Sequence, residues 1–186
     1  ADVIGSTSLL SEVDLMNIFF DVFSKLEIRT VVKLNSRKVL AGIAEVMGQP
    51  EKLVDLTIVL DKLEKIGVEK VVQEAKERGI TDESIARING LISGVLLPHD
   101  ERNWNVKIDR MRKFLSSSKE GQVGLDEVEF IIHNSFNSKP SLVEVDFDHT
   151  LARGLDYYTG AIFEVKANEG TLQSSICGGG RYDDLT

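Results

Sequence analysis

The spacing of apolar residues predicts regular elements over the first fifty residues. Residues 7–26 show the helical period of apolar side chains, and a β-branched run over residues 30–34 predicts a strand. A second helix is predicted from its N-cap, Ser36, to its stop signal, Gly48. With the apolar stretch at residues 1–5 taken as a strand, this part is predicted to be strand–helix–strand–helix.

The middle of the chain, residues 51–140, has almost only the helical period. Gly67 and Gly79 are typical helix ends, and Thr81 begins a helix with acidic residues in its first turn. We predict about five short amphipathic helices, a number that can form a small bundle. The last two of these helices are predicted over residues 104–115 and 125–136.

The period changes from 3.6 to 2 in the last part, residues 141–186. Because the connections between them are short, three strands are predicted to form an antiparallel sheet: residues 142–148, 157–166 and 172–177. Strands at both ends of the chain with helices between them predict an α+β fold. In this fold, a sheet domain formed by residues 1–50 and 141–186 is interrupted by a helical insertion domain at residues 51–140.

Composition and charge exclude several classes of protein. The net charge of −8 argues against a protein that binds nucleic acid through bulk positive charge. No apolar run reaches the roughly 20 residues that a membrane span needs, and the start of the chain lacks the features of a signal peptide. The single cysteine, Cys177, cannot form an internal disulfide, which predicts a cytoplasmic setting. Both ends lack a polar tail or a finished element, so we expect a piece of a longer protein.

Residues 153–160, Arg-Gly-Leu-Asp-Tyr-Tyr-Thr-Gly, hold the densest group of candidate ligand-binding side chains. Arg153 offers a planar fork of donors suited to a carboxylate or a phosphate. In a strand, Tyr157 and Tyr158 would face opposite sides, so that only Tyr158 shares the face of Gly160. These residues fit both a site for a small anionic ligand and a hairpin entrance whose tyrosines are half in the core.

A second candidate is the run Cys-Gly-Gly-Gly-Arg-Tyr-Asp at residues 177–183. Consecutive glycines remove every Cβ and let a ligand approach the backbone closely, while Arg181 and Tyr182 add polar groups beside them. The run has the spacing of neither a P-loop nor a dinucleotide-binding fingerprint. Taken alone, it also fits a flexible turn.

Together, the two stretches resemble the histidine-recognition region of the histidyl-tRNA synthetases, class II synthetases whose catalytic domain is an antiparallel sheet. These motifs carry the resemblance over residues 142–186. Residues 1–48 resemble the part of that family just after its motif 2. Residues 51–140 match only in position, where the family has an insertion that can approach the tRNA acceptor stem.

The resemblance implies a role for each matching residue. Arg153 would be catalytic and would face the carboxylate of histidine and the α-phosphate of ATP. Asp2 would hold the α-amino group of histidine, and Tyr158 would reach its imidazole. The other residues that would bind histidine or its adenylate are Tyr157, Gly178, Gly179, Gly180, Arg181 and Tyr182.

The resemblance also implies a reaction and its partners. A homodimeric ligase would activate histidine with ATP, whose phosphates carry Mg²⁺, and would transfer it to tRNA(His). Because this chain lacks the family's motif 1 segment, ATP-binding arginines and anticodon domain, we predict that it is inactive alone. Two alternatives stay open. One is a non-catalytic histidine sensor resembling the regulatory subunit of ATP phosphoribosyltransferase, and the other is an RNA-docking module made by residues 51–140.

Other candidate groups carry less information. His99 beside Asp100, and His149 beside Asp148, lack the spacing of metal ligands, so no metal site is predicted. Cys177 is interpreted as a small strand residue rather than as a nucleophile. A compact basic group is interpreted as a solvated helix face or as a contact with the acceptor stem: Lys107, Arg110, Arg112 and Lys113.

Overall fold

The computed structural model describes residues 1–98, 103–135, 142–152, 157–168 and 174–184. Within these residues the chain has an α+β arrangement, as predicted. The elements in chain order are α1 (Leu10–Lys25), β1 (Thr30–Ser36), α2 (Arg37–Met47), a short 3-10 turn (Pro50–Lys52), α3 (Leu53–Ile66), α4 (Val68–Glu77), α5 (Asp82–Ile92), α6 (Trp104–Phe114), α7 (Lys119–Ser135), β2 (Val143–Phe147), β3 (Ala161–Ala167) and β4 (Ser175–Gly180).

The strands form one mixed sheet in the order β2–β1–β3–β4. β3 is antiparallel to both of its neighbours, whereas β1 and β2 are parallel, with Thr30 opposite Val143. The prediction that the three C-terminal strands form an antiparallel sheet on their own is therefore wrong. Parallel strands need a long crossover connection, and helices α2 to α7 supply it. In the sheet, β1 lies between β2 and β3.

Three helix ends lie where local sequence signals put them. Ser36 caps α2 by accepting a hydrogen bond from the Lys38 N–H, and Thr81 caps α5 through the Ser84 N–H. Gly48 ends α2 with a φ of 84°, a left-handed conformation that glycine adopts readily. The helical prediction for the middle segment is confirmed over its described residues. Within that description, no helix combines the length and the apolar character needed to cross a bilayer.

Helix α7 begins at Lys119 rather than at residue 125. The two glycines in its first turns, Gly121 and Gly124, resemble helix breakers but form a contact with α2. A Cβ on Gly42 of α2 would lie 2.6 Å from the Gly121 Cα, and a Cβ on Gly124 would lie 2.7 Å from the Val39 backbone N. The bare backbones therefore let α2 and α7 pack closely. This contact outweighs the helix-propensity cost of about 1 kcal/mol for each glycine.

Three predicted strand boundaries are wrong. Residues 1–5 form no strand, since their side chains are exposed, Ile4 by 74%, and no described strand pairs with them. β3 begins later than predicted, at Ala161, and β4 continues past Cys177 to Gly180. Glycine continues the β4 ladder because strand pairing uses only backbone groups, which glycine retains.

The core lies against one face of the sheet. Leu34 of β1 is opposite Phe163 of β3, and the Phe163 ring contacts the Phe19 ring of α1 with centroids 6.1 Å apart. One continuous cluster of buried apolar side chains joins this face to α7 and to the helices of the middle segment. The division into a sheet domain and an insertion domain stays a prediction.

Candidate functional site

The described part of the first candidate motif, residues 157–160, lies beside the second motif where β3 begins and β4 ends. The Thr159 N–H donates to the Arg181 carbonyl, and the Arg181 N–H donates to the Ala161 carbonyl, both at 2.9 Å. These bonds extend the β3–β4 pairing beyond the strands and bring the paired tyrosines next to the glycine run. Arg153 lies outside the described residues, as do residues 154–156.

Asp2 and Tyr182, predicted to share one pocket, are in contact. The Tyr182 hydroxyl donates to the Asp2 carboxylate at 2.8 Å across 180 residues of sequence. This hydrogen bond raises the pKa of the Tyr182 phenol. Asp2 is exposed, and a carboxylate open to solvent can accept hydrogen bonds from a cationic group of a ligand.

Tyr157 and Tyr158 form an edge-to-face pair beside the glycine run. Their ring centroids are 4.6 Å apart, and their planes meet at 67°. Burial and the hydrogen bond with Tyr157 raise the pKa of Tyr158 to about 12, so this phenol is protonated at neutral pH. Tyr158 and Gly160 precede β3, so the predicted strand does not extend to them. Tyr158 packs instead on Gly180, whose added Cβ would lie 2.9 Å from the ring.

The glycine run is strand backbone with open space at its middle residue. An added Cβ would lie 2.8 Å from the Phe163 carbonyl oxygen at Gly178, and 2.7 Å from the Ala161 carbonyl oxygen at Gly180. At Gly179 an added Cβ would meet no atom of the described residues within 4 Å. The alternative of a flexible turn is therefore wrong, and Gly179 leaves room for a ligand beside the strand.

Arg181 points at the protein rather than at open space. Its Nε and one terminal nitrogen donate to the two carboxylate oxygens of Glu12 at 2.6 and 2.9 Å. The other terminal nitrogen donates to Asp183 at 3.0 Å. Glu12 was not among the predicted site residues, and no local signal marks it, because its partner lies 169 residues away.

The turn that follows β2, residues 148–151, is hydrogen-bonded to β1 on the face of the sheet opposite Leu34. Asn35 of β1 is fully buried, and its amide donates to the carbonyls of His149 at 3.3 Å and Leu151 at 2.9 Å. At the start of this turn the Asp148 carboxylate accepts hydrogen bonds from the Lys33 ammonium group and from the Thr150 N–H. Asn35 was also missed, because an isolated asparagine within a strand carries no pattern that predicts a distant partner.

Asp148, His149 and Cys177 are the remaining candidates that the structure describes. Asp148 accepts hydrogen bonds from Lys33 at 2.6 Å and from the Thr150 N–H at 2.9 Å. Although burial works in the opposite direction, the charge of Lys33 holds the pKa of Asp148 well below its usual range. His99 and Asp100 lie outside the described residues. Among the residues that are described, no three His, Cys, Asp or Glu side chains form a group that could hold a metal ion. Burial raises the pKa of the Cys177 thiol, which disfavours the reactive thiolate.

The basic group of the middle segment is partly used by the fold. Lys107 is buried and donates to Asp146 of β2 at 2.6 Å. Arg112 donates to Asp126 at 2.7 Å and to Glu129 at 2.9 Å. A solvated helix face is therefore wrong for Lys107, whose charge is neutralised within the protein.

Known proteins resemble this chain along its whole length. The family model described as Histidyl-tRNA synthetase matches residues 1–186. The histidine–tRNA ligase of Christiangramia forsetii is 47% identical over 188 residues, a match that covers 100% of this chain and 40% of that protein. The histidine–tRNA ligase of Bacteroides fragilis is 47% identical over 186 residues, covering 100% of this chain and 39% of that protein.

Solved structures agree with these matches. The crystal structure of histidyl-tRNA synthetase from Nostoc has a TM-score of 0.77 at 29% identity, over 97% of this chain and 42% of that chain. An ATP phosphoribosyltransferase regulatory subunit/histidyl-tRNA synthetase from Bacillus halodurans has a TM-score of 0.71 at 21% identity over 97% of this chain and 44% of that chain, which shows a shared fold alone. The chain spans about 40% of the length of the curated relatives it matches. Since the family model covers every residue and the relatives are 47% identical, the chain belongs to the histidyl-tRNA synthetase family.

Proposed function

We propose that this chain is part of a histidine–tRNA ligase and carries the half of the active site that binds histidine. The observation that carries this proposal is the convergence of Asp2, Tyr158, Gly180 and Tyr182 at one end of the sheet, from opposite ends of the chain. In the proposed reaction, the histidine carboxylate attacks the α-phosphorus of ATP and pyrophosphate leaves. The histidyl group then passes to the terminal ribose of tRNA(His).

The polar groups of the site suit the two ends of histidine. The Asp2 carboxylate accepts a charge-assisted hydrogen bond from the α-ammonium group, and the Tyr182 hydroxyl orients that carboxylate. The protonated Tyr158 phenol can donate to an imidazole nitrogen. Tyr157, which is 39% exposed, supplies a ring at the mouth of the site. The backbone at residues 178–180 then supports the adenylate.

Arg153 is the proposed catalytic residue. Its guanidinium would lie against the histidine carboxylate and the α-phosphate, where negative charge builds up on the equatorial oxygens in the transition state. Mg²⁺ would enter with the phosphates of ATP. We assign it no protein ligands, since the described residues contain no cluster that would hold it.

The proposal extends to partners and setting. The ligase would be a cytoplasmic homodimer, and the insertion at residues 51–140 would lie near the acceptor stem of tRNA. Lys107 and Arg112 are engaged in ion pairs with carboxylates, so a tRNA contact in this segment has to use other basic residues. This requirement disfavours a function as a pure RNA-docking module.

Histidine-dependent ATP–pyrophosphate exchange by the full-length protein tests this function. We expect exchange by the full-length protein and none by the 186-residue chain alone, because the chain covers about 40% of its relatives. Histidine binding without exchange in the full-length protein would favour the sensor alternative. Absence of both binding and exchange would refute the proposal.

Alanine substitutions at neighbouring glycines separate ligand space from protein packing. Gly179→Ala adds a methyl group that meets no described atom within 4 Å, so we expect the free energy of unfolding to change by less than about 0.5 kcal/mol. Because that methyl group occupies adenylate space, we expect exchange to fall by about tenfold or more, a barrier increase of about 1.4 kcal/mol.

Gly180→Ala provides the contrast. Its Cβ would collide with Tyr158 and with the Ala161 carbonyl, so we expect a loss of stability of about 1–3 kcal/mol together with a loss of exchange. Urea unfolding and exchange assays on both variants measure the difference. Normal exchange by Gly179→Ala would show that no ligand lies on this part of the strand.

A further inference from the structure

A buried ion pair joins the two ends of the chain next to the candidate site. Arg181, which follows β4, binds both carboxylate oxygens of Glu12 in the first turn of α1, at 2.6 and 2.9 Å. It also donates to the Ser8 carbonyl at 3.1 Å and to Asp183 at 3.0 Å. Each of the three guanidinium nitrogens thus serves an acceptor of the protein itself. We call the Glu12–Arg181 pair the clasp.

The clasp is shielded from water. The side chains of Glu12 and Arg181 are 4% and 13% exposed. An arginine that binds a carboxylate through two parallel hydrogen bonds fixes both distance and orientation. Burial makes the loss of one partner costly, because the remaining charge is left without compensation. The clasp therefore sets the geometry of the segments that it joins.

The clasp also reaches the entrance to β3. Asp183, which accepts a hydrogen bond from Arg181, also accepts one from the Thr159 hydroxyl at 2.7 Å. A Cβ on Gly160 would lie 2.9 Å from the Arg181 Cδ, so the glycine leaves the space through which the arginine side chain passes. Three segments meet at the clasp: the N-terminal segment, the start of β3 and the end of β4.

These three segments carry the proposed ligands of histidine. Asp2 lies in the N-terminal segment, Tyr158 directly precedes Thr159, and Tyr182 directly follows Arg181. The Asp2–Tyr182 hydrogen bond joins groups at the surface, and an exposed bond of this kind contributes little order by itself. Its geometry depends on how the buried clasp holds the two segments.

We infer that Glu12 and Arg181 are positioning residues, which set the distance between Asp2 and Tyr182 and thereby the affinity for the α-ammonium group of histidine. This inference rests on the proposed function. Arg181 then acts through its neighbours and makes no contact with the substrate, unlike the direct role that the family resemblance implies for it.

Steady-state ATP–pyrophosphate exchange by the full-length protein tests the inference with Glu12→Gln, Arg181→Lys and the double variant. Positioning predicts one profile for both single variants. The KM for histidine rises about tenfold, less than the roughly 10²-fold effect of a 1 Å misplacement, while the KM for ATP stays within about twofold. The double variant is no worse than the poorer single variant, because both substitutions break the same pair.

Direct contact of Arg181 with the substrate predicts a different result. Arg181→Lys would then raise the KM for histidine while Glu12→Gln leaves it unchanged, and this outcome would overturn the inference. Asp146→Asn is the matched control, since it breaks the partly buried pair with Lys107 on the opposite edge of the sheet. We expect it to lower the melting temperature and to leave the KM for histidine unchanged. An equal rise in that KM would overturn the inference, because the effect would then reflect general destabilisation.

Gly160→Ala disturbs the clasp while keeping both of its charges, because the new methyl group displaces the Arg181 side chain. It serves as the test if Glu12→Gln does not fold. We expect a higher KM for histidine, and an unchanged value would contradict the inference. A wild-type protein without histidine-dependent exchange would refute the proposed function, a failure visible before any variant is compared.

Discussion

Replacing Arg153 with alanine in the full-length protein is expected to lower histidine-dependent ATP–pyrophosphate exchange by about 10²–10³-fold. The expectation follows from the charge that the proposed reaction creates. The α-phosphate gains negative charge on its equatorial oxygens as the carboxylate attacks, and a fixed guanidinium stabilises that charge more in the transition state than in the ground state. Removal of one preorganised donor of this kind commonly has an effect of this size.

One further variant distinguishes the planar pair of donors from the positive charge, and a second is a control away from the site. Arg153→Lys keeps the positive charge and loses the planar pair of donors, so we expect an intermediate loss of exchange. Arg87→Ala removes an arginine from the exposed surface of α5, where it pairs with Glu83, and we expect normal exchange. If Arg153→Ala keeps wild-type exchange, Arg153 is not catalytic. Equal losses in Arg153→Ala and Arg87→Ala would show that the effect is not specific to the site.

Alanine at Gly42 is expected to cause the largest loss of stability, about 3 kcal/mol, at the upper end of the usual cost of overpacking. The added Cβ would lie 2.6 Å from the Gly121 Cα, and backbone cannot rotate away as a side chain can. Helices α2 and α7 would have to separate, and both contribute side chains to the common core. Urea unfolding of the full-length protein measures the change in the free energy of unfolding.

Gly90→Ala is the matched control for this substitution. Gly90 also lies inside a helix, but its added Cβ would meet the Leu96 Cβ at 3.8 Å, an ordinary contact. We expect a gain in stability of about 0.5–1 kcal/mol, because alanine is the better helix former. Similar effects of Gly42→Ala and Gly90→Ala would contradict the close approach of α2 and α7.

Arg181 shows what a sequence motif leaves open. The run of glycines, arginine and tyrosine predicted a candidate site at this end of the chain from sequence alone. However, the sequence could not show that the guanidinium turns back to Glu12, 169 residues away. A resemblance transfers the position of a residue well, but the atoms that the side chain contacts depend on everything that folds around it.

Several local features of this protein could be predicted from its amino-acid sequence. Ser36 and Thr81 cap the starts of their helices and Gly48 ends α2, as expected, because a cap depends on residues only a few positions away. The α+β class and the helical middle segment also followed, because periods of 3.6 and 2 residues are short-range properties. The two site motifs were equally visible as patterns of adjacent residues.

The features that depend on distant partners became visible in the folded chain and not before. β1 lies between β2 and β3, the glycine run is a strand, and Asp2 meets Tyr182 across 180 residues. Strand pairs and buried ion pairs depend on the free energy of the whole fold, because each segment can pair with many others along the chain. No local period records that competition, so the sequence could predict candidate site residues but not the contacts between them.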